Sequence, residues 1–385
     1  MEFSLTWVLL GLPSAFVLGW FASRFDLRQI RLEDREAPKA YFKGLNYLLN
    51  EQQDQAIDAF IEAVQSDPDT SELHFALGNL FRRRGEYQRA VRVHEHLLSR
   101  GDLSQADLHR AQHALALDFL KAGLLDRAEA ALLKLEGTAF EVQARLALLA
   151  NYERSRDWLL AADMAKKIER AGQGNFTHRL SHFLCEQAAT LIQQRQLDAA
   201  QALLNEAIDS APDAARPRID LAQLLANNGD ITDAHSVLLD ALDKTPTAAG
   251  LIVGPLADCA IRVKRVDSTL SRLLAMYEQA PALDVLEAIV RLSTHVPGAH
   301  TTAREWYVKH LEHEPSLVAA TRWIADEKLE NEQFHPQVQR ALNHAIKPLL
   351  RYRCAACGFE AMQHFWQCPG CQAWDSYPSR RVEEL

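Results

Sequence analysis

Apolar residues recur along most of this chain at spacings of three and four, the signature of helices that bury one face. The helices come in pairs of fixed length. Gly44, Tyr47, Ala56, Phe60, Ala63 and Pro68 are followed by Gly78, Phe81, Gly85, Ala90 and Leu97 in the same order. Gly44 to Gly78, Tyr47 to Phe81 and Ala56 to Ala90 are each 34 residues apart. The frame returns at Ala116, Phe119, Gly123 and Ala128, then at Tyr152, Trp158 and Ala161. It recurs at Ala188, Leu191, Ala200, Ala207 and Pro212, and at Ala222, Leu225, Gly229, Ala234, Ala241 and Pro246. Weaker copies end at Pro281 and, with Ala303 and Tyr307, at Pro315.

This period and these residue classes resemble the tetratricopeptide repeat. Small residues at the eighth and twentieth positions let two antiparallel helices approach closely, an aromatic at the eleventh fills the gap, and proline stops the second helix. A single unit cannot bury its apolar stripe, so repeats stack and share one core. The prediction is an all-α tetratricopeptide-repeat superhelical solenoid of about eight to nine repeats over residues 37–345. The first helix of each unit then lines a groove. Asn79, Arg82 and Arg83 fall where such a helix could grip a carboxylate or a peptide backbone, although charged helix faces are more often simply solvated.

One stretch breaks the amphipathic pattern. From Phe3 to Ser23 no residue is charged, and 21 residues at about 1.5 Å each make roughly 31 Å of helix, the thickness of a bilayer core. Trp7 and Trp20 lie near its ends, where amphipathic rings favour the interface. Arg24, Arg28, Arg31, Arg35 and Lys39 follow the run, while only Met1 and Glu2 precede it. The positive-inside rule therefore predicts a single-pass anchor at 1–23, a basic linker at 24–36, an N-terminus outside and the bulk of the chain in the cytoplasm. A cleaved signal peptide would want a basic n-region and a small-x-small site, and neither is clear.

Composition agrees with a helical reading. Glycine (16) and proline (14) are scarce among 385 residues, and the formal net charge of −9 gives no reason to expect nucleic acid as partner. Four of the six cysteines crowd into the last 32 residues, which points to a metal site in a reducing compartment rather than a disulfide framework. Cys354-Ala-Ala-Cys357 and Cys368-Pro-Gly-Cys371 make C-x2-C-x10-C-x2-C. Each pair presents two thiolates from one tight turn, so two turns facing each other build a tetrahedral four-sulfur site for one metal ion. Zinc and iron both suit it, and full coordination makes a structural role the first reading, with electron transfer by iron as the rival. This closing region, 346–385, looks like a rubredoxin-type ribbon, with Gln372 in place of the glycine usual after the fourth cysteine.

No phosphate-binding loop, dinucleotide fingerprint or nucleophile elbow is present. His109 with His113 and His178 with His182 have i,i+4 spacing without the H-E-x-x-H glutamate, and read as packed or solvated. Cys185 and Cys259 read as small core residues. The chain therefore reads as a non-enzyme.

The order of parts, with Asn79-Leu80-Phe81-Arg82, Arg83 and Gly85 in the second repeat and Tyr352-Arg353-Cys354 through Trp374 at the end, resembles the lipopolysaccharide assembly protein B family. Cys357-Gly358-Phe359, Trp366, Cys368-Pro369, Cys371 and Ala373-Trp374 carry the most specific part of the resemblance. It implies an inner-membrane adaptor that promotes degradation of the lipid A deacetylase by the membrane-anchored AAA zinc protease and gathers other lipopolysaccharide synthesis and transport proteins. Trp366 and Trp374 join Asn79, Arg82 and Arg83 as partner-binding candidates. A redox protein, or a scaffold for another envelope pathway, remains the alternative, and self-association stays open.

Overall fold

The structure, a computed structural model, describes residues 16–17, 19–20, 39–67, 69–296, 302–325 and 334–385. The predicted anchor and basic linker lie outside the described residues apart from Phe16, Val17, Gly19 and Trp20, which are helical. Among the described residues no helix is long and apolar enough to cross a membrane. The chain divides into two compact units, Met1–Asp157 and Trp158–Leu385.

In the first unit, α1 (39–49) is followed by α2 (Gln53–Ser66), α3 (Ser71–Arg84), α4 (Tyr87–Ser99), α5 (Gln105–Ala122), α6 (Leu125–Leu133) and α7 (Glu141–Ser155). The repeat frame is the core. Ala56, Ala63, Ala90, Ala116 and Ala128 are wholly buried, with Phe60, Phe81, Phe119 and Tyr152 nearly so. The reason for small residues is visible at Gly78, where an added Cβ would lie 2.5 Å from the His94 ring. At Gly44 the added Cβ would lie 2.8 Å from Phe60.

That close approach places a polar knot inside the first unit. Asp118, on α5, is fully buried and accepts from Arg82 Nη1 at 2.8 Å, while His94 Nδ1 of α4 sits on its other oxygen. Arg82 also donates to the Ala114 carbonyl at 3.0 Å and to Asn79 Oδ1. Paired and hydrogen-bonded, the buried carboxylate ties three helices together. Unpaired, it would be costly.

The second unit continues with α8 (Trp158–Arg170), α9 (Thr177–Gln193), α10 (Leu197–Ser210), α11 (Ala215–Asn228), α12 (Ile231–Lys244), α13 (Ala249–Arg262), α14 (Val266–Gln279), α15 (Leu283–Ser293), α16 (Ala303–His313), α17 (Leu317–Ala325) and α18 (His335–Ile346). Ala161, Ala188, Ala200, Ala207, Ala234 and Ala241 are wholly buried at the frame positions. Strands β1 (Tyr352–Arg353) and β2 (Glu360–Ala361) then pair antiparallel, Tyr352 opposite Ala361 and Arg353 opposite Glu360. The expected all-helical tetratricopeptide fold with a closing metal ribbon is what these residues form.

Candidate metal centre

Two turns of identical construction build the site. In the first, Cys354 N–H donates to the Phe359 carbonyl at 2.9 Å, and Gly358 N–H donates back to the Cys354 carbonyl at 2.9 Å. In the second, Cys368 N–H donates to Ala373 at 2.9 Å, and Gln372 N–H to Cys368 at 2.8 Å. Closing each turn requires a left-handed residue after its second cysteine. Gly358 supplies φ 78° without penalty, and Gln372 is forced to φ 62° with a Cβ. The departure noted in the sequence is thus a departure in side chain only.

The four Sγ atoms lie within 4.8 Å of one another. Cys354 and Cys371 are 3.8 Å apart and Cys357 and Cys368 3.7 Å. A tetrahedron with metal–sulfur bonds of about 2.3 Å has edges of about 3.8 Å, so the donor set fits one four-coordinate ion. Cys354 and Cys368 are buried, whereas Cys357 and Cys371 face outward. Burial pushes the Cys354 thiol up, but bonding to the Ser376 hydroxyl and the N–H groups of Cys357 and Ala356 outweighs it and brings the pKa down to about 6. Zinc bound here would act structurally, and iron would add one-electron chemistry. Among the described residues no other group of histidines, cysteines and carboxylates could hold an ion. His113 instead stacks on Phe140, and His178 meets Asp213.

The ribbon shares its small core with the repeats. Tyr352, Tyr377, Cys354 and Cys368 cluster with Phe365 and with Leu251 of α13. Trp374 stacks on His182 of α9, centroids 4.8 Å apart, and stands edge-on to Trp158 and Phe183. The Asp375 carboxylate meets His182 Nε2 at 2.8 and 2.9 Å. Trp366 lies beneath the Arg216 guanidinium of α11, 6.0 Å from its centroid. Both candidate tryptophans therefore spend much of their surface inside the chain. In the first unit Arg82 turns to Asp118 and draws Asn79 with it, while Arg83 stays exposed. Arg83 lines a groove of about 210 Å³ with Tyr41, Leu45, Phe75, Asn79 and Arg110.

Beyond the ribbon, residues with no motif fasten the chain to the repeats. Ser379 Oγ donates to the Thr247 carbonyl at 2.6 Å, and Arg381 donates to Asp284 of α15 at 3.1–3.3 Å. Glu383 accepts from Ser316 Oγ at 2.8 Å and Val318 N–H at 3.0 Å, and Glu384 from Leu283 N–H at 2.8 Å. The carboxylates thereby serve donors that the starts of α15 and α17 leave open. Sequence reasoning missed these residues. Their one signal was the 34-residue spacing of His182, Arg216, Gly250, Asp284 and Val318, which carries no residue class in common.

Family profiles match three stretches: a rubredoxin metal-binding domain at 352–377 and tetratricopeptide repeats at 43–93 and 191–252. Lipopolysaccharide assembly protein B of Escherichia coli (strain K12) is 27% identical over 386 residues, spanning 98% of this chain and 99% of that protein. The protein of the same name from Haemophilus influenzae (strain ATCC 51907 / DSM 11121 / KW20 / Rd) is 26% identical over 384 residues and 96% of each chain. With the repeats and the four-cysteine ribbon both in place, the chain resembles lipopolysaccharide assembly protein B along nearly its whole length.

Proposed function

We propose that this chain is an adaptor for lipopolysaccharide assembly that works by holding other proteins together and catalyses nothing itself. The observation that carries the reading is the resemblance over nearly the full length of both chains, ribbon included. The site supports it, because four protein thiolates around one ion leave no position for a substrate. Repeat arrays supply helix faces to partners.

In its full form, residues 3–23 anchor the chain in the inner membrane with the N-terminus periplasmic and the repeats cytoplasmic. The adaptor brings the lipid A deacetylase to the membrane-anchored AAA zinc protease and gathers other lipopolysaccharide enzymes. Tethering raises local concentration without chemistry by the tether. Arg83, exposed on the first-unit groove with Asn79 beside it, is the partner contact favoured there. Arg82 orients Asn79 from behind, and Trp366 and Trp374 contribute through their uncovered edges. Depleting the protein should lengthen the half-life of the deacetylase several-fold, and an unchanged half-life would overturn the reading. A reporter joined after Leu385 should be active only in the cytoplasm, and periplasmic activity would sink the topology.

A further inference from the structure

His182, Arg216, Gly250, Asp284 and Val318 stand one repeat apart, each 34 residues after the last. Arg216, Gly250, Asp284 and Val318 are the second residues of α11, α13, α15 and α17, and His182 is the sixth of α9, which begins earlier. Every one of them meets the region after Cys354. Asp375 and Trp374 take His182, Trp366 takes Arg216, Ser379 takes Gly250, Arg381 takes Asp284 and Glu383 takes Val318. At the far end the match is regular: residues 379, 381 and 383 each meet one repeat. We infer that Gly250, Asp284 and Val318 form a reading strip for a short peptide, which residues 379–384 fill as a resident occupant. A partner segment with the same basic-then-acidic pattern displaces it.

Three observations carry this. The first is chemical complementarity at each step. Gly250 leaves room for backbone, since a Cβ there would lie 2.5 Å from the Ser379 carbonyl oxygen. Asp284 selects a guanidinium, and the opened starts of α15 and α17 select carboxylates through backbone N–H groups. The second is incomplete filling. A cavity of about 170 Å³ beside Thr247, Met276 and Asp284, and another of about 90 Å³ beside Leu283, His310 and Ser316, flank the segment. A segment with a larger apolar side chain beside Met276 and Val285 would fill the first, and a polar one beside His310 and Ser316 the second. The third is electrostatic crowding. Asp284, Glu287 and Glu384 converge, and burial raises the pKa of each from its ordinary value, with Arg381 opposing the rise at Asp284. The resident segment is therefore seated by specific contacts on an imperfect surface, as a displaceable occupant should be. When the segment leaves, Tyr352 loses the Arg381 guanidinium from its ring and residues 349–351 lose three hydrogen bonds to it. The ribbon's contacts with His182, Arg216 and Leu251 involve none of the segment's residues. This inference is independent of the lipopolysaccharide reading, because its test uses purified protein and no partner.

The test compares the metal-loaded intact chain with one truncated after Pro378, using a fluorescein-labelled peptide of residues 378–385 as probe. Helicity and metal content are checked on both. The truncated chain should bind the peptide saturably, and the intact chain at least tenfold more weakly, because its own segment competes at high effective concentration. A peptide with Arg381→Ala should lose at least tenfold. Truncated protein carrying Asp284→Arg should reject the original peptide and accept one with Arg381→Glu. If truncation lowers helicity, intact Arg381→Ala protein takes its place, and its weakened segment should now admit the peptide. No binding by a folded truncated or Arg381→Ala chain overturns the inference. So does binding indifferent to Arg381, or concentration-dependent dimerisation with no uptake of added peptide.

Discussion

The second residue row of the repeats behaves differently in the two units. In the first, the row positions of α3 and α5 are Glu72 and Arg110, which pair with each other through both guanidinium nitrogens. Arg110 also covers the Phe75 ring at 4.1 Å. In the second, the row runs His182, Arg216, Gly250, Asp284, Val318; Arg216 Nη1 reaches His182 Nδ1 at 3.4 Å, but no two neighbours carry opposite charges that pair. Arg216 must take Glu186 and Asp220, His182 must take Asp375, and Asp284 must take Arg381. The same backbone plan thus closes on itself where adjacent repeats offer opposite charges. Where they do not, it recruits the ribbon and the segment behind it. A row closed by its own ion pair leaves a neighbouring groove open, and a row without one becomes a seat.

Removing the metal should break that contrast most strongly. Cys354→Ser leaves three thiolates and forfeits binding energy on the order of 10 kcal/mol. Hydrogen exchange should show protection lost in residues 352–385 and at the surfaces of α9, α11 and α13. Loss extending into the first unit would show that the two are not separately held.

Asp118→Ala strikes the other unit. It leaves the Arg82 guanidinium and the buried His94 without their shared partner, at a cost of about 3–5 kcal/mol. Denaturant unfolding should register that loss in the first unit while the purified protein keeps one metal per chain. Metal loss would contradict the division.

Two glycines then allow a matched comparison. Gly78→Ala meets the His94 ring and Gly250→Ala meets the Ser379 carbonyl, each at 2.5 Å. Overpacking of this kind costs about 1–3 kcal/mol. Gly78→Ala should lower global stability of the first unit. Gly250→Ala should instead release the 379–384 segment, seen as faster exchange of its amides with the helices unchanged. Equal effects on both helices would remove the distinction between core contact and seat.

Gln372→Gly sharpens the picture of the ribbon. Relieving a left-handed residue that carries a Cβ should stabilise the metal-bound state by about 1 kcal/mol, read as slower metal release to a chelator. Unchanged release would mean the turn bears no strain.

The smallest effect is acidification. Burial lowers the pKa of His74 and His113 in the first unit and of His235 and His310 in the second. In unfolded chain these groups titrate near 6.5, so the unfolded state takes up protons first. Stability is fully present above about pH 6.5 and falls as pH drops toward the lower folded values. His310 Nδ1 faces the Tyr277 hydroxyl at 2.6 Å. His310→Gln should therefore flatten part of the decline measured by thermal melts between pH 7 and 5.5, and an unaltered slope would remove His310 from the account.

The repeat frame and the knuckles were legible from residue type because both obey local rules. A 34-residue period with small residues at helix crossings, and two C-x2-C turns, constrain geometry within one unit or one turn. Ala56, Ala90 and Ala188 went to the crossings, and the four sulfurs came together. Asn79 and Arg82 were placed on the right helix, but the sequence could not reveal that Asp118, 36 residues further on, would claim the guanidinium. Arg381, Glu383 and Glu384 look like any polar tail. Their meaning lies in donors and carboxylates that only become neighbours once α13, α15 and α17 are stacked. Stacking converts a spacing of 34 in the chain into adjacency in space. By itself the sequence determined the helices, their pairing and the metal turns, because those depend on neighbours along the chain. Tertiary structure alone decided which side chains face the ribbon and its following segment, because desolvation and charge pairing act between residues that only the stacked repeats bring together.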